Sequence, residues 1–238
     1  MIKREINKKT KKDQSQGFMT QRRQILNKNS NFIIQEAYKS LRTNIRFYAS
    51  GSTCKKICIT SGAAGEGKSI TLLNLAISIG ETGKKVLLID GDLRRPALAR
   101  LLVEKATPGL SNVLAEQVDV KDAIRKEMYP NLDVLLSGEI PPNPSELIGS
   151  DRMQNMIETL SAEYDYILVD TPPVGIVSDT CLVANFLDGV IMLVRQGRSQ
   201  KDSVKKAVNN LQLTGAKILG YVLNGVPVEK KSYNYYYY

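Results

Sequence analysis

Gly62-Ala63-Ala64-Gly65-Glu66-Gly67-Lys68-Ser69 follows directly on the apolar run Ile57-Cys58-Ile59-Thr60, in a G-x-x-x-x-G-K-S pattern. Glycines so placed let backbone N–H groups curl around a phosphate chain. The lysine can reach the terminal phosphates and the serine hydroxyl suits Mg²⁺. The run opens a helix predicted from Ile70 to about Thr82, whose N-terminal dipole adds to the anion site. Gly62, Gly65, Glu66, Gly67, Lys68, Ser69 and Ile70 are therefore the expected contacts of a nucleoside triphosphate. A ligand-free glycine turn is the bland alternative, and the strand–loop–helix setting disfavours it. Further on, Asp90-Gly91-Asp92-Leu93-Arg94-Arg95-Pro96 sets two carboxylates beside two guanidinium groups. A hard cation wants oxygen ligands and arginine matches phosphate, so this turn suits Mg²⁺ and phosphate together. Asp170 ends a third apolar run, Tyr166-Ile167-Leu168-Val169, where a carboxylate can orient Mg²⁺ or its waters.

The elements that must position these groups follow from periodicity. Ala37, Leu41, Ile45 and Tyr48 recur at helical steps, predicting an amphipathic helix over 35–48 that Gly51-Ser52 ends. Runs at 86–89, 132–136, 166–169, 190–194 and 218–223 read as strands. Between them lie a looser helical region up to Arg125, helices over 145–163 after Pro141-Pro142-Asn143-Pro144, and helices over 179–185 and 202–213. Alternating helices and continuous apolar strands predict an α/β fold: a three-layer, mostly parallel sheet covered on both faces. Ligands of such sheets bind at the C-terminal strand ends. The loop after Thr60, Asp90, Asp170 and Asn224 should therefore converge on one crevice.

Composition narrows the classes. The chain has 238 residues, no histidine, and three cysteines without a C-x-x-C pair, which argues against a disulfide framework and a structural zinc site. Proton transfer must then fall to carboxylates or water. No apolar run is long enough for a membrane helix and the basic N-terminus lacks a signal-peptide core, so a reduced cytoplasmic setting is expected. Residues 1–30 hold nine Lys/Arg against Glu5 and Asp13, most of the formal net charge of +9. Three segments are predicted: a flexible basic arm over 1–30, a nucleotide-binding domain over 31–226 and a mobile tail over 227–238. A basic arm suits a polyanion, and the anionic inner leaflet is preferred because no nucleic-acid fold signature accompanies it. The last six residues hold Tyr233, Tyr235, Tyr236, Tyr237 and Tyr238, five of eleven tyrosines. They read as phospho-acceptors, each phosphate adding about −1.5 to −2 charges.

The ordered set of Gly62–Ser69, Leu87–Pro96, Pro141-Pro142-Asn143-Pro144-Ser145-Glu146-Leu147, Ile167–Pro173 and the tyrosine tail resembles the bacterial tyrosine kinases of phosphate-loop type, over residues 33–238. It is similar to the short cytoplasmic form of Gram-positive capsule and exopolysaccharide systems. The resemblance implies a sheet like that of the partition ATPases, ATP and Mg²⁺ as ligands, and autophosphorylation of the tail in trans. It implies Lys68 on the phosphates, Ser69, Asp92 and Asp170 around Mg²⁺, Asp90 accepting the tyrosine proton, and Asn224 reading adenine. Glu36, Lys39 and Arg42 resemble an E-x-x-R-x-x-R ring-forming helix, with Lys39 replacing an arginine and losing its bidentate fork. The implied partners are a separate transmembrane activator, further copies of the chain in a ring, protein tyrosine substrates and a tyrosine phosphatase, at the inner face of the plasma membrane. Two alternatives remain: a partition-type ATPase switch, whose diagnostic second lysine is replaced by Ala63, and a non-catalytic nucleotide-binding regulator.

Overall fold

The unbroken apolar runs become inner strands, because only a strand covered on both faces hides every side chain. The computed structural model describes residues 22–48 and 54–227. In chain order the elements are α1 (Phe32–Tyr48), β1 (Lys55–Ser61), α2 (Lys68–Gly80), β2 (Val86–Asp90), α3 (Leu98–Leu102), α4 (Leu110–Leu114), α5 (Val120–Ala123), β3 (Ile124–Tyr129), β4 (Leu132–Leu135), α6 (Pro144–Ile148), α7 (Asp151–Leu160), β5 (Tyr166–Asp170), α8 (Asp179–Ala184), β6 (Gly189–Arg195), α9 (Lys201–Leu213) and β7 (Ile218–Asn224). They form one seven-stranded sheet in the order β3-β4-β2-β5-β1-β6-β7. Every neighbouring pair is parallel except β3 with β4.

Strand periodicity of two splits each run between two cores. Leu87 and Ile89 of β2 and Ile167 and Val169 of β5 face one side, packing with α4, α7, α8 and α9. Val86, Leu88, Tyr166 and Leu168 face the other, where α2 lies with α1 and α3 around it. The three layers are as expected.

Two features depart from expectation. The region read as helical up to Arg125 ends in strand β3, joined to β4 by a hairpin at Pro130-Asn131. Lys126 and Glu127 are poor strand formers, and β3 is an edge strand that needs only one covered face. The helices expected over 145–163 are α6 and α7, divided where the Ser150 side chain caps α7 by accepting the Met153 N–H at 3.2 Å. In the segment read as part of a flexible arm, Leu26 is buried on α2. Asn74 of α2 accepts the Leu26 N–H at 2.8 Å and donates to the Gln24 carbonyl at 2.9 Å and the Tyr38 hydroxyl at 3.1 Å. The docked chain thus starts before residue 31. The rest of the expected arm, and the tail tyrosines Tyr233 to Tyr238, lie outside the described residues.

Candidate nucleotide and metal site

β1 ends at Ser61 and α2 begins at Lys68, so residues 62–67 must turn a strand into a helix within one loop. Two glycines there are required by geometry. Gly67 has φ +102°, and a Cβ on it would stand 2.4 Å from Asn224 Nδ2. Gly62 is pressed on α9, where a Cβ would meet the Ser203 backbone at 2.9 Å. With Gly67 at the N-cap, no side chain caps α2. Its first-turn N–H groups and dipole are thus left for an anion. Lys68 and Ile70 are both buried in the first turn of this helix. Asn224 ends β7 and donates to the Glu66 carbonyl at 2.9 Å, while its own side-chain oxygen accepts the Gly225 N–H at 2.8 Å. Beside it opens a cleft of about 840 Å³, lined by Ile70, Thr71, Leu223 and Asn224 among others.

Asp90 and Asp170 are register partners at the ends of β2 and β5, tied by Gly91 N–H donating to the Asp170 carbonyl at 2.9 Å. Both carboxylates are fully buried. Asp90 accepts the Leu98 N–H at 3.1 Å through Oδ2, but its Oδ1 and the Oδ1 of Asp170 have no partner. Burial pushes Asp90 well above the usual carboxylate range, and the neighbouring Asp170 adds to it. Burial also pushes Asp170 up, against the Lys68 ammonium and a hydrogen bond donated by Ser69. Asp92 accepts the Arg95 N–H at 2.9 Å and the Arg94 N–H at 3.3 Å through Oδ1. Ser69 and Asp170 therefore meet, and Asp92 is close enough to raise the affinity of both buried aspartates for protons.

Two orphaned carboxylate oxygens with a lysine and a serine hydroxyl fit a hard divalent cation bridging to phosphate. Among the described residues no three His, Cys, Asp or Glu side chains form a complete metal cage. Mg²⁺ keeps several waters and takes phosphate oxygens, so one or two protein carboxylates are enough to hold it.

Other expected residues have different partners. Arg94 was expected to serve phosphate. It donates to Asp179 from Nε at 2.8 Å and from a terminal nitrogen at 3.1 Å, and to Ser145 at 2.7 Å. Its guanidinium thus braces the Pro-rich turn against α8. On α1, Lys39 pairs with Glu36 at 2.6 Å, and Arg42 donates to the Ser78 carbonyl at the end of α2. Residues the sequence left unassigned also reach the site: Arg195 donates to the Gly65 carbonyl at 3.1 Å and Ser199 to Glu66 at 2.5 Å. Their position at and just after the C-terminal end of β6 is the available signal.

The chain matches the AAA domain family over residues 54–217. It is 40% identical over 202 residues to tyrosine-protein kinase YwqD of Bacillus subtilis (strain 168), covering 84% of this chain and 85% of that protein. The crystal structure of the chimerical protein CapA2B2 superposes with a TM-score of 0.80 at 39% identity, covering 84% of this chain and 88% of that one. The septum site-determining protein MinD of Pyrococcus horikoshii OT3, complexed with Mg-ADP, matches with a TM-score of 0.60 at 30% identity, covering 71% of this chain and 70% of that one. The fold is that of the phosphate-loop ATPases. Among the described residues no helix is long and apolar enough to cross a membrane.

Proposed function

Because the chain belongs to the phosphate-loop bacterial tyrosine kinases, we propose that its pocket transfers the terminal phosphoryl group of ATP to tyrosines of the chain's own tail. The observation that carries this reading is the adjacent buried pair Asp90–Asp170, with unpartnered oxygens, beside Lys68 and Ser69 at the phosphate loop. Mg²⁺, when held by Ser69, Asp92 and Asp170, would neutralise charge developing on the phosphates. Loop N–H groups and Lys68 bind the phosphate chain, and Asn224 lines the cleft that would take adenine. Asp90 accepts the phenol proton. Its raised pKa brings it nearer the operating pH, where a general base works best. Phosphoryl transfer needs mainly positioning and charge neutralisation, so a chain without histidine can perform it.

Around this centre, tail tyrosines are presented between copies assembled through Glu36, Lys39 and Arg42. A separate transmembrane activator of a polysaccharide system holds the kinase at the inner membrane face, with the basic arm on anionic lipid. Protein tyrosine substrates and an opposing phosphatase complete the set. The ATPase-switch alternative lacks its second lysine, since Ala63 stands there.

The experiment is incubation with Mg²⁺ and ATP, with and without an activator segment, followed by mass-spectrometric mapping. Phosphotyrosine is expected mainly at Tyr233, Tyr235, Tyr236, Tyr237 and Tyr238, and Lys68→Met should abolish it. Label surviving Lys68→Met, or free phosphate without phosphotyrosine, overturns the assignment.

A further inference from the structure

The strand-end arrangement that gathers the phosphate loop, Asp90, Asp170 and Asn224 also brings up the segment 195–200, which closes β6 and leads into α9. It is fastened to the phosphate loop at three points. Ser199 Oγ donates to Glu66 Oε1 at 2.5 Å, and the Arg195 guanidinium donates to the Gly65 carbonyl at 3.1 Å. The Arg198 guanidinium lies against Gly65, 2.7 Å from where a Cβ would stand. Ser199 is itself held at both ends: its Oγ accepts the Arg195 N–H at 2.7 Å and its own N–H donates to the Arg195 carbonyl at 2.9 Å. On the other flank, the Gln196 N–H donates to the Asn224 carbonyl at 2.9 Å.

Glu66 sits at the crossing of these ties. Its carbonyl accepts from Asn224 and its carboxylate from Ser199. The side chain is 1% exposed, and its second oxygen is buried without a partner. A buried carboxylate is costly unless it is hydrogen-bonded, so the Ser199 hydroxyl is what holds the buried Glu66 side chain in place. A loop that cradles phosphate must aim its N–H groups inward and its carbonyls outward. Arg195 engages the Gly65 carbonyl from outside the loop, and Ser199 pins the buried Glu66 side chain.

We infer that Glu66 and Ser199, with Arg195, form a positioning latch that holds the phosphate loop in its nucleotide-receiving shape. Without the latch the loop must be ordered when nucleotide binds, and that ordering is subtracted from affinity. Once nucleotide is seated, Lys68, Asp90 and Asp170 stand as before, so the effect falls on binding and leaves turnover nearly intact. The inference rests on the proposed function only in taking the ligand to be a nucleoside triphosphate.

The test uses the full chain, equilibrium titration with a fluorescent ATP analogue and Mg²⁺, and KM and kcat for tyrosine labelling. Ser199→Ala should raise Kd and KM about tenfold with kcat within about twofold. Ser199→Thr, which keeps the hydroxyl, should restore both. Arg195→Ala frees the Gly65 carbonyl without touching a buried charge and should raise Kd about fivefold, giving a second measure should Ser199→Ala fail to fold. Unchanged affinity in either folded variant overturns the latch. So does a fall in kcat at constant Kd, or a loss that threonine does not rescue. If the wild-type chain binds the analogue but makes no phosphotyrosine, the kinase reading fails while the Kd comparison still decides this one.

Discussion

Two carboxylate sites on the same sheet are built in opposite ways. At the edge, Asp133 of β4 accepts the Tyr164 hydroxyl at 2.6 Å, the Glu127 N–H at 2.8 Å and the Lys126 ammonium at 3.0 Å. Burial pushes its pKa up, but those three donors outweigh it and hold the group below the usual range. In the middle of the sheet, Asp90 and Asp170 lie deeper, touch each other's field and each keep an oxygen with no donor, and both pKa values rise. A carboxylate that serves the fold is saturated by the fold. One that awaits a cation and phosphate is left with lone pairs free, and the native state carries the strain of it.

The largest effect should come from removing the unsaturated charges. Asp170→Asn should lower tyrosine labelling at least ~100-fold, as expected when a charge stabilising transferred phosphate is removed. Asp90→Asn should act similarly on labelling. Both variants should also melt higher than wild type without nucleotide, because a buried repulsive charge is gone. A gain of about 1 kcal/mol corresponds to roughly 2–4 °C in a chain of this size. Calorimetry without Mg²⁺ checks it, and a lower melting temperature for both would remove the contrast with Asp133.

The pH dependence sharpens the same contrast. Asp90 and Asp170 have raised folded pKa values, so between the ordinary carboxylate value of about 3.9 and those raised values the native state binds more protons than the unfolded one. Stability of the nucleotide-free protein should therefore fall as pH rises through that window, while Mg²⁺-nucleotide affinity should rise. Asp133 has a lowered folded pKa, so its contribution is present above the ordinary value and lost as pH falls through the folded one. Denaturation midpoints against pH for wild type, Asp90→Asn and Asp133→Asn separate the two. Asp90→Asn should flatten the fall on the upper side and leave the acid limb alone.

Much of this was legible before any coordinates. The central strands and their terminal aspartates could be read because a parallel strand buried on both faces is apolar throughout, and an aspartate closing such a run stands out. Edge strand β3 could not, since Lys126 and Glu127 carry no strand signal and the pairing partner supplies the conformation. Leu26 hid in a basic segment, and its docking depends on the apolar face of α2 and on Asn74, 48 residues away. Arg94 looked like a phosphate ligand by type and neighbourhood, yet its fork is taken by Asp179, 85 residues on. Side-chain partnerships across such separations depend on topology, which composition and spacing do not carry.

Smaller effects test whether the edge site is as redundant as it looks. Asp133→Ala should cost about 1–3 kcal/mol, because it removes the hydrogen bonds from the Tyr164 hydroxyl and the Glu127 N–H, each contributing about 0.5–1.5 kcal/mol. Labelling activity should be unchanged. Lys126→Met should cost less, at most about 1 kcal/mol, since the ammonium is more than half exposed and surface ion pairs contribute little. Tyr164 and the Glu127 N–H would still serve Asp133, so the carboxylate stays ionised and buried oxygen stays partnered. The Tyr164 hydroxyl, pushed up to about 12 by burial and then by Asp133, should rise further once the Lys126 charge that lowers it is gone. A spectrophotometric tyrosine titration reads that shift. A stability loss as large as that of Asp133→Ala would mean that Lys126, and not the carboxylate, holds this corner of the sheet together.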